Sequence, residues 1–183
     1  IVRYHMKKFM FEQLGIIGCG SIARQRHAAE YKHNANTTIT GVFDVSRERA
    51  EAMAKDFGGK VYDTAEALIA DPSIDAVSVC VANAFHAPIT IDALNHGKHV
   101  LCEKPLALNA READEMARTA HACGVHLMEA FMYRYTDRLA KVGEVLASGV
   151  LGSIRSINST ARFFLDRENT IKEQPDLGGG ALL

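Results

Sequence analysis

Tryptophan is absent and proline is scarce, with four in 183 residues, so no proline-rich recognition segment or stiff linker is present. The four cysteines, Cys19, Cys80, Cys102 and Cys123, lie far apart and form no C-x-x-C pair. In a chain long enough to bury a core without staples, that spacing argues against a disulfide framework. Three of the four fall in runs that read as buried strands or tight turns. They are expected to be small buried hydrophobes, kept reduced in the cytoplasm. No apolar run approaches the ~18–20 residues of a membrane span. The basic N-terminus is followed by neither the apolar stretch nor the cleavage site of a secretory signal. Residues 1–5 precede Met6 and Met10, either of which could be the start, and they stay outside the fold argument. The net charge of −1 leaves no electrostatic footprint for nucleic acid or an acidic membrane surface. Metal spacing is missing too. His96 and His99 are three apart, and His121 and His126 five apart, so neither pair has the H-x-x-x-H or H-E-x-x-H pattern. No metal is expected. His27 and His33 are expected at the surface, on or after the first helix.

Hydrophobic residues make up 48% and charged residues 23%, which suits a globular domain. The length fits one good-sized domain, or one domain plus the start of another. Strand signals fall at Phe11–Ile17, Thr38–Asp44, Lys60–Tyr62, Asp75–Val81, His99–Cys102 and Val125–Met128. Helical signals fall at Ser21–Lys32, Arg47–Phe57 and Pro88–Asn95. A capping box at Asp63 and Glu66 opens a short helix to Ala70, and Asn109 with Glu112 caps another that ends at Gly124. A last helix is expected over Asp137–Ser148. Strands alternating with helices, several of the strands apolar on both faces, predict a doubly wound parallel α/β sheet. Beyond residue 150 the character changes. Ile154–Phe164 alternates, as a half-exposed strand of a second, antiparallel sheet would. Gly178-Gly179-Gly180 followed by an apolar start reads as a connection into further chain.

The first strand signal runs into Gly18-Cys19-Gly20-Ser21-Ile22-Ala23, a G-x-G-x-x-A fingerprint opening a helix. Gly18 permits the tight turn, Gly20 lets backbone approach a pyrophosphate, and Ala23 allows the helix to pack closely on the strand. The helix N-terminus offers free N–H groups to the phosphates. Asp44, 21 residues after Ala23, ends the second strand where a carboxylate accepts from the adenosine ribose. A 2′-phosphate would meet its charge, so Asp44 favours NAD. Arg47 at the same turn could instead pair with a 2′-phosphate or simply start a solvated helix.

Glu103-Lys104-Pro105 follows the buried run HVLC, at the carboxyl end of a parallel strand, where α/β sheets place ligands. A surface ion pair before a proline explains these residues equally well. So does a lysine that donates to a substrate oxygen, held by its acidic neighbour.

Taken together, Gly18–Ala23, Asn83-Ala-Phe-His86 and Gly97-Lys-His-Val-Leu-Cys-Glu103-Lys104-Pro105 are similar to the Gfo/Idh/MocA oxidoreductases. Leu127–Tyr135 and the terminal Leu177–Leu183 resemble the branch that holds NADP-dependent D-xylose and dihydrodiol dehydrogenases. The chain departs from that branch at Thr136-Asp137, where His-Pro is usual, and from many family members at Val81-Ala82, where Thr-Pro is usual. The resemblance implies hydride transfer between a nicotinamide cofactor, NAD or NADP, and a sugar or cyclic-polyol hydroxyl. It implies Lys104 as the catalytic lysine, oriented by Glu103. Gly18, Gly20, Ser21, Ile22, Ala23, Asp44, Arg47, Asn83, His86, Glu103, Lys104, Pro105 and Arg134 would line the cofactor site, with Tyr133 beside Arg134. It also implies a second, α+β domain supporting a homo-oligomer. The expected organisation is a Rossmann domain over 1–135, then a linking helix and the first part of a second domain over 136–183. A second catalytic group would lie beyond Leu183, leaving the 183-residue chain inactive by itself. A non-catalytic nucleotide-binding module and an NAD-dependent glycosidase remain as alternatives.

Overall fold

A computed structural model describes residues 13–160, 162 and 173–180. Six parallel strands form one sheet: β1 (Gln13–Ile17), β2 (Thr38–Phe43), β3 (Lys60–Val61), β4 (Ala76–Val79), β5 (His99–Cys102) and β6 (Leu127–Glu129). Their spatial order is β3-β2-β1-β4-β5-β6, with β1 paired to both β2 and β4. This is the doubly wound order in which the chain reverses direction across the sheet at β1 and β4.

Helices cover both faces. A helical run over 21–32, π-helical at Ala23–Ala28 and closing as α1 (Ala29–Lys32), packs with α2 (Arg47–Phe57) on one side. Leu14, Ile16, Tyr31, Val42 and Met53 are buried there. On the other side α3 (Ala65–Ile69), α4 (His86–Asn95) and α5 (Ala110–Cys123) enclose Ile17, Leu68, Val77, Leu94 and Met116. All four residues of β4 are buried, as expected for a central strand covered on both faces. Cys19, Cys80 and Cys102 are buried free thiols, and Cys123 is exposed. Among the described residues no helix is long and apolar enough to cross a membrane.

Some boundaries move for identifiable reasons. The N-cap of α3 is Thr64, whose hydroxyl accepts from Ala67 N at 3.0 Å, and the carboxylate of Asp63 instead pairs with Arg47. β6 starts two residues later than Val125. Gly124 takes a left-handed turn, and Val125 N closes α5 by donating to Ala120 O, so Val125 belongs to the helix terminus. The strand expected over Ile154–Phe164 does not form at 154–160, which carry no regular structure and stand exposed. An alternating pattern needs a neighbouring ladder to become a strand, and no second sheet exists among the described residues. Residues 161, 163 and 164 lie outside them. Between β6 and that stretch runs α6 (Asp137–Ala147), capped by the Thr136 hydroxyl and with no buried residue.

Candidate cofactor and catalytic site

The carboxyl ends of β1, β2, β4 and β5 converge on one crevice beside the strand-order reversal. β1 leads into Gly18 at φ +93°, whose N–H donates to Phe43 O at 2.8 Å and so latches the turn to the end of β2. A Cβ at Gly18 would lie 2.6 Å from Cys80 O, so only glycine fits between β1 and β4. Gly20 differs. A Cβ there would meet nothing within 4 Å, so it faces open space at the start of the helical run. An open backbone beside free helix N–H groups is what a pyrophosphate needs. Ala23 is fully buried under that run, Ile22 is half-buried, and the exposed Ser21 hydroxyl accepts from Gln25.

Asp44 stands where expected, at the end of β2, but its oxygens are engaged. One accepts from Cys19 N at 2.8 Å. The other accepts from Ser46 N at 2.7 Å and from Arg49 Nη2 at 2.7 Å and Nε at 3.1 Å. Burial pushes this carboxyl up, but the Arg49 guanidinium and the two backbone donors outweigh it and hold the pKa below the usual range. The carboxylate side chain is 6% exposed and the arginine 55%. Of the two readings of Arg47, its contacts match the solvated helix start. It pairs with Glu51 at 2.9 Å and Asp63 at 2.6 Å, away from Asp44. Arg47 is the first residue of α2 and points outward. Arg49, third in the helix, folds back over the Ser46 cap, as N3 side chains do. The S-x-x-R spacing of Ser46 and Arg49 is the signal in the sequence that points to Arg49.

Beyond β5 the chain turns through Glu103-Lys104-Pro105 with a cis Lys104–Pro105 bond. Lys104 is exposed and Glu103 is 5% exposed. Glu103 Oε2 accepts from Lys104 N at 3.1 Å, and Oε1 takes a hydrogen bond from His27 Nε2 at 2.9 Å. Burial alone would raise the pKa of this carboxyl, but the His27 hydrogen bond, the Lys104 N–H and the Lys104 charge lower it. His27 is therefore not a surface residue. It is 6% exposed, on the face that also carries Ala23 and Tyr31, four residues before and after it. That i, i+4, i+8 register could have placed it inward. His33, exposed, bonds back to Ala29 O.

His86 was expected against the cofactor, and its burial redefines that role. It is fully buried, with Nδ1 2.7 Å from Pro105 O and Nε2 3.2 Å from Val81 O. Its ring ties the Glu-Lys-Pro turn to the end of β4. Below Pro105, Glu129 accepts from Leu106 N at 3.0 Å. Asn83 lies in the turn after β4 and donates to Gly178 O at 2.7 Å, which brings residues 175–178 to the crevice from 95 positions away. No local pattern could announce that contact. Tyr133 and Arg134 are exposed in the turn Met132–Tyr135 after β6. Among the described residues no group of three or more His, Cys, Asp or Glu could hold a metal ion.

A parallel sheet of this order, a glycine turn latched at its reversal point and an acid closing β2 define a dinucleotide-binding Rossmann domain. Residues 13–131 match the model of the Gfo/Idh/MocA family, described as an oxidoreductase family with an NAD-binding Rossmann fold, and the chain belongs to that family. It is 34% identical over 171 residues to a dTDP-3,4-didehydro-2,6-dideoxy-alpha-D-glucose 3-reductase of Actinomadura kijaniata, covering 93% of this chain and 52% of that one. It is 37% identical over 178 residues to a D-xylose 1-dehydrogenase (NADP(+)) of Haloferax volcanii, covering 95% and 53%. Among solved structures it resembles the 3-ketoreductase KijD10 from Actinomadura kijaniata, in complex with NADP and TDP-benzene, with a TM-score of 0.81 and 32% identity. That match covers 92% of this chain and 52% of the other. The chain spans about half the length of these relatives.

Proposed function

We propose that this chain binds NADP(H) and carries half of the catalytic machinery for oxidising a sugar or cyclic-polyol hydroxyl, or for the reverse reduction. The observation that carries the reading is the turn after β5, where the exposed Lys104 follows the buried Glu103, whose carboxyl is held below its usual range and accepts from the Lys104 backbone N–H. Gly18, Gly20 and the start of the helical run would hold the pyrophosphate. When bound, the nicotinamide supplies the acceptor or donor of the hydride. Lys104 Nζ would hold the substrate oxygen and move the hydroxyl proton. Glu103 fixes the backbone of that turn by accepting from Lys104 N, and His86 fixes Pro105, so the lysine stem starts from a rigid base.

The preference for NADP rests on Asp44. A free carboxylate there would accept from the ribose hydroxyls and repel a 2′-phosphate. Here Oδ1 is filled by Ser46 N and the Arg49 fork, Oδ2 accepts from Cys19 N, and a half-exposed guanidinium covers its charge. The Arg49 side chain, with the first turn of α2 behind it, suits a phosphate dianion. NADP in KijD10 and in the Haloferax enzyme supports the same choice.

Calorimetric titration with NADPH and NADH in parallel tests the binding half of the proposal. Saturable binding with NADPH the tighter is expected, and binding of neither overturns it. In the chain extended to the length of its relatives, Lys104→Met should abolish sugar oxidation while leaving NADPH binding within about twofold. Residual turnover above about 1% would remove Lys104 from the chemistry.

A further inference from the structure

Behind the catalytic turn lies a polar chain that the binding and reaction steps above do not use. Tyr31 OH is 2.6 Å from Ser78 Oγ, Ser78 Oγ is 3.2 Å from His27 Nδ1, and His27 Nε2 is 2.9 Å from Glu103 Oε1. Tyr31, Ser78, His27 and Glu103 are each at most 6% exposed. They come from three layers of the fold: the helical run over 21–32, the central strand β4, and the turn after β5. Ser78 is the polar residue in an otherwise apolar strand, AVSV. Burying four polar side chains in one line is costly unless every donor finds an acceptor.

With the His27 imidazole neutral, the proton inventory fixes the direction of the chain. An ionised carboxylate only accepts, so His27 Nε2 carries a hydrogen and donates to Glu103. The Tyr31 hydroxyl makes no other hydrogen bond among the described residues, so its proton goes to Ser78 Oγ. The Ser78 proton is then left for His27 Nδ1, which accepts it. Tyr31 donates to Ser78, Ser78 to His27, and His27 to Glu103, with each donor matched once. Reversing the line would give Nδ1 a hydrogen, turn the Ser78 proton toward Tyr31 and strand the tyrosine proton without an acceptor.

We propose that His27, fixed in its Nε2–H tautomer by Ser78 and Tyr31, is a positioning residue for the reaction: it keeps Glu103 ionised and in place on the Lys104 backbone N–H. This rests on the reading of Lys104 as the reacting amine. The thiols and the phenol around Glu103 are uncharged at working pH. Burial pushes the Cys102 thiol up to about 12, the Cys80 thiol well above its ordinary value, and the Tyr31 phenol upward. Glu129 is engaged with Leu106 N on the far side of the turn. Lys104 and His27 are therefore the partners that decide the charge of Glu103. Removing the His27 donor leaves one carboxylate oxygen buried and unmatched, which drives Glu103 toward its protonated form and releases its hold on the turn.

The test uses three variants. His27→Gln keeps a neutral N–H at similar reach, His27→Leu removes it, and Ser78→Ala leaves ring and carboxylate in place but frees the tautomer. Carbon-13 carboxyl NMR follows the Glu103 titration in each, independently of turnover. An upward shift is expected in His27→Leu, a smaller one in Ser78→Ala, and near wild-type behaviour in His27→Gln. In the chain extended to the length of its relatives, the acid limb of kcat should move up with the same ranking. In His27→Leu kcat should fall on the order of 10- to 100-fold, with KM for NADPH unchanged. If His27→Leu does not fold, the Ser78→Ala pair of readouts decides. An unmoved Glu103 titration, an equal shift in His27→Gln and His27→Leu, or a fixed acid limb overturns the proposal. A failure of the underlying reading shows separately, as turnover surviving Lys104→Met.

Discussion

What a carboxylate can do for a ligand depends on which of its lone pairs are still free. Asp44 looks like a ribose acceptor by position, yet two backbone N–H groups and a guanidinium hold both its oxygens. Its role passes to the residue it anchors. Arg49→Ala should weaken NADPH binding by about tenfold, or ~1.4 kcal/mol, in line with the loss of a charge-assisted contact. NADH binding should stay within about twofold, because the arginine would touch only the 2′-phosphate. Parallel calorimetric titrations measure both, and an equal loss for the two nucleotides would show that Arg49 acts only by holding Asp44. Arg47→Ala is the control. Its contacts to Glu51 and Asp63 are exposed ion pairs of the kind that contribute little, and neither nucleotide should respond.

At the scale of elements, the two glycines of the first turn should separate fold from function. Gly18→Ala places a methyl group 2.6 Å from Cys80 O in a backbone conformation that disfavours L side chains, so it should lower the melting temperature and weaken β1–β4 pairing. Gly20→Ala meets no atom within 4 Å, so stability should hold within about 0.5 kcal/mol while NADPH binding falls at least about tenfold. Thermal melting and titration of both variants check this. A tight-binding Gly20→Ala would mean the pyrophosphate lies elsewhere. These glycines were legible in the sequence because local steric needs dictate them. The order of strands and helices was legible for a related reason: each element carries its own periodicity and caps, such as Asn109 before α5. What the sequence hid was pairing across the fold. His27 reaches a carboxylate 76 residues away, and Asn83 reaches Gly178 across 95. The alternation at 154–160 promised a strand, but a ladder takes two partners, and a one-dimensional pattern names only one.

For the molecule as a whole, several groups make stability fall in acid. Asp44 and Glu103 are held below the carboxylate range, and hydrogen bonds from Ser73 and Tyr62 bring Asp71 to about 2. Each has a folded-state pKa below its unfolded value, so each contributes stability that is fully present above about pH 4 and is lost as pH falls through the folded value. Burial, with His126 close by, also lowers the pKa of His99, so its contribution starts to fade below about pH 6.5. Melting temperature should therefore decline gently from pH 7 to about 4 and steeply toward 2, and a flat profile would deny that these carboxylates are matched. Packing also bears on the boundary expected near residue 135. α6 has no buried residue, and Leu139, Val142 and Leu146 stand 38%, 46% and 49% exposed along one side of it, so the core of the sheet and its covering helices takes no buried side chain from it. A tie back to the domain is the hydrogen bond from Asn83 to Gly178 O, a neutral contact that contributes about 1 kcal/mol. A chain ending at Thr136 should then melt within about 4 °C of the 183-residue chain and bind NADPH within about threefold of it. A drop of more than about 10 °C, beyond what one hydrogen bond explains, would place residues 137–180 inside the cooperative unit and move the boundary with them.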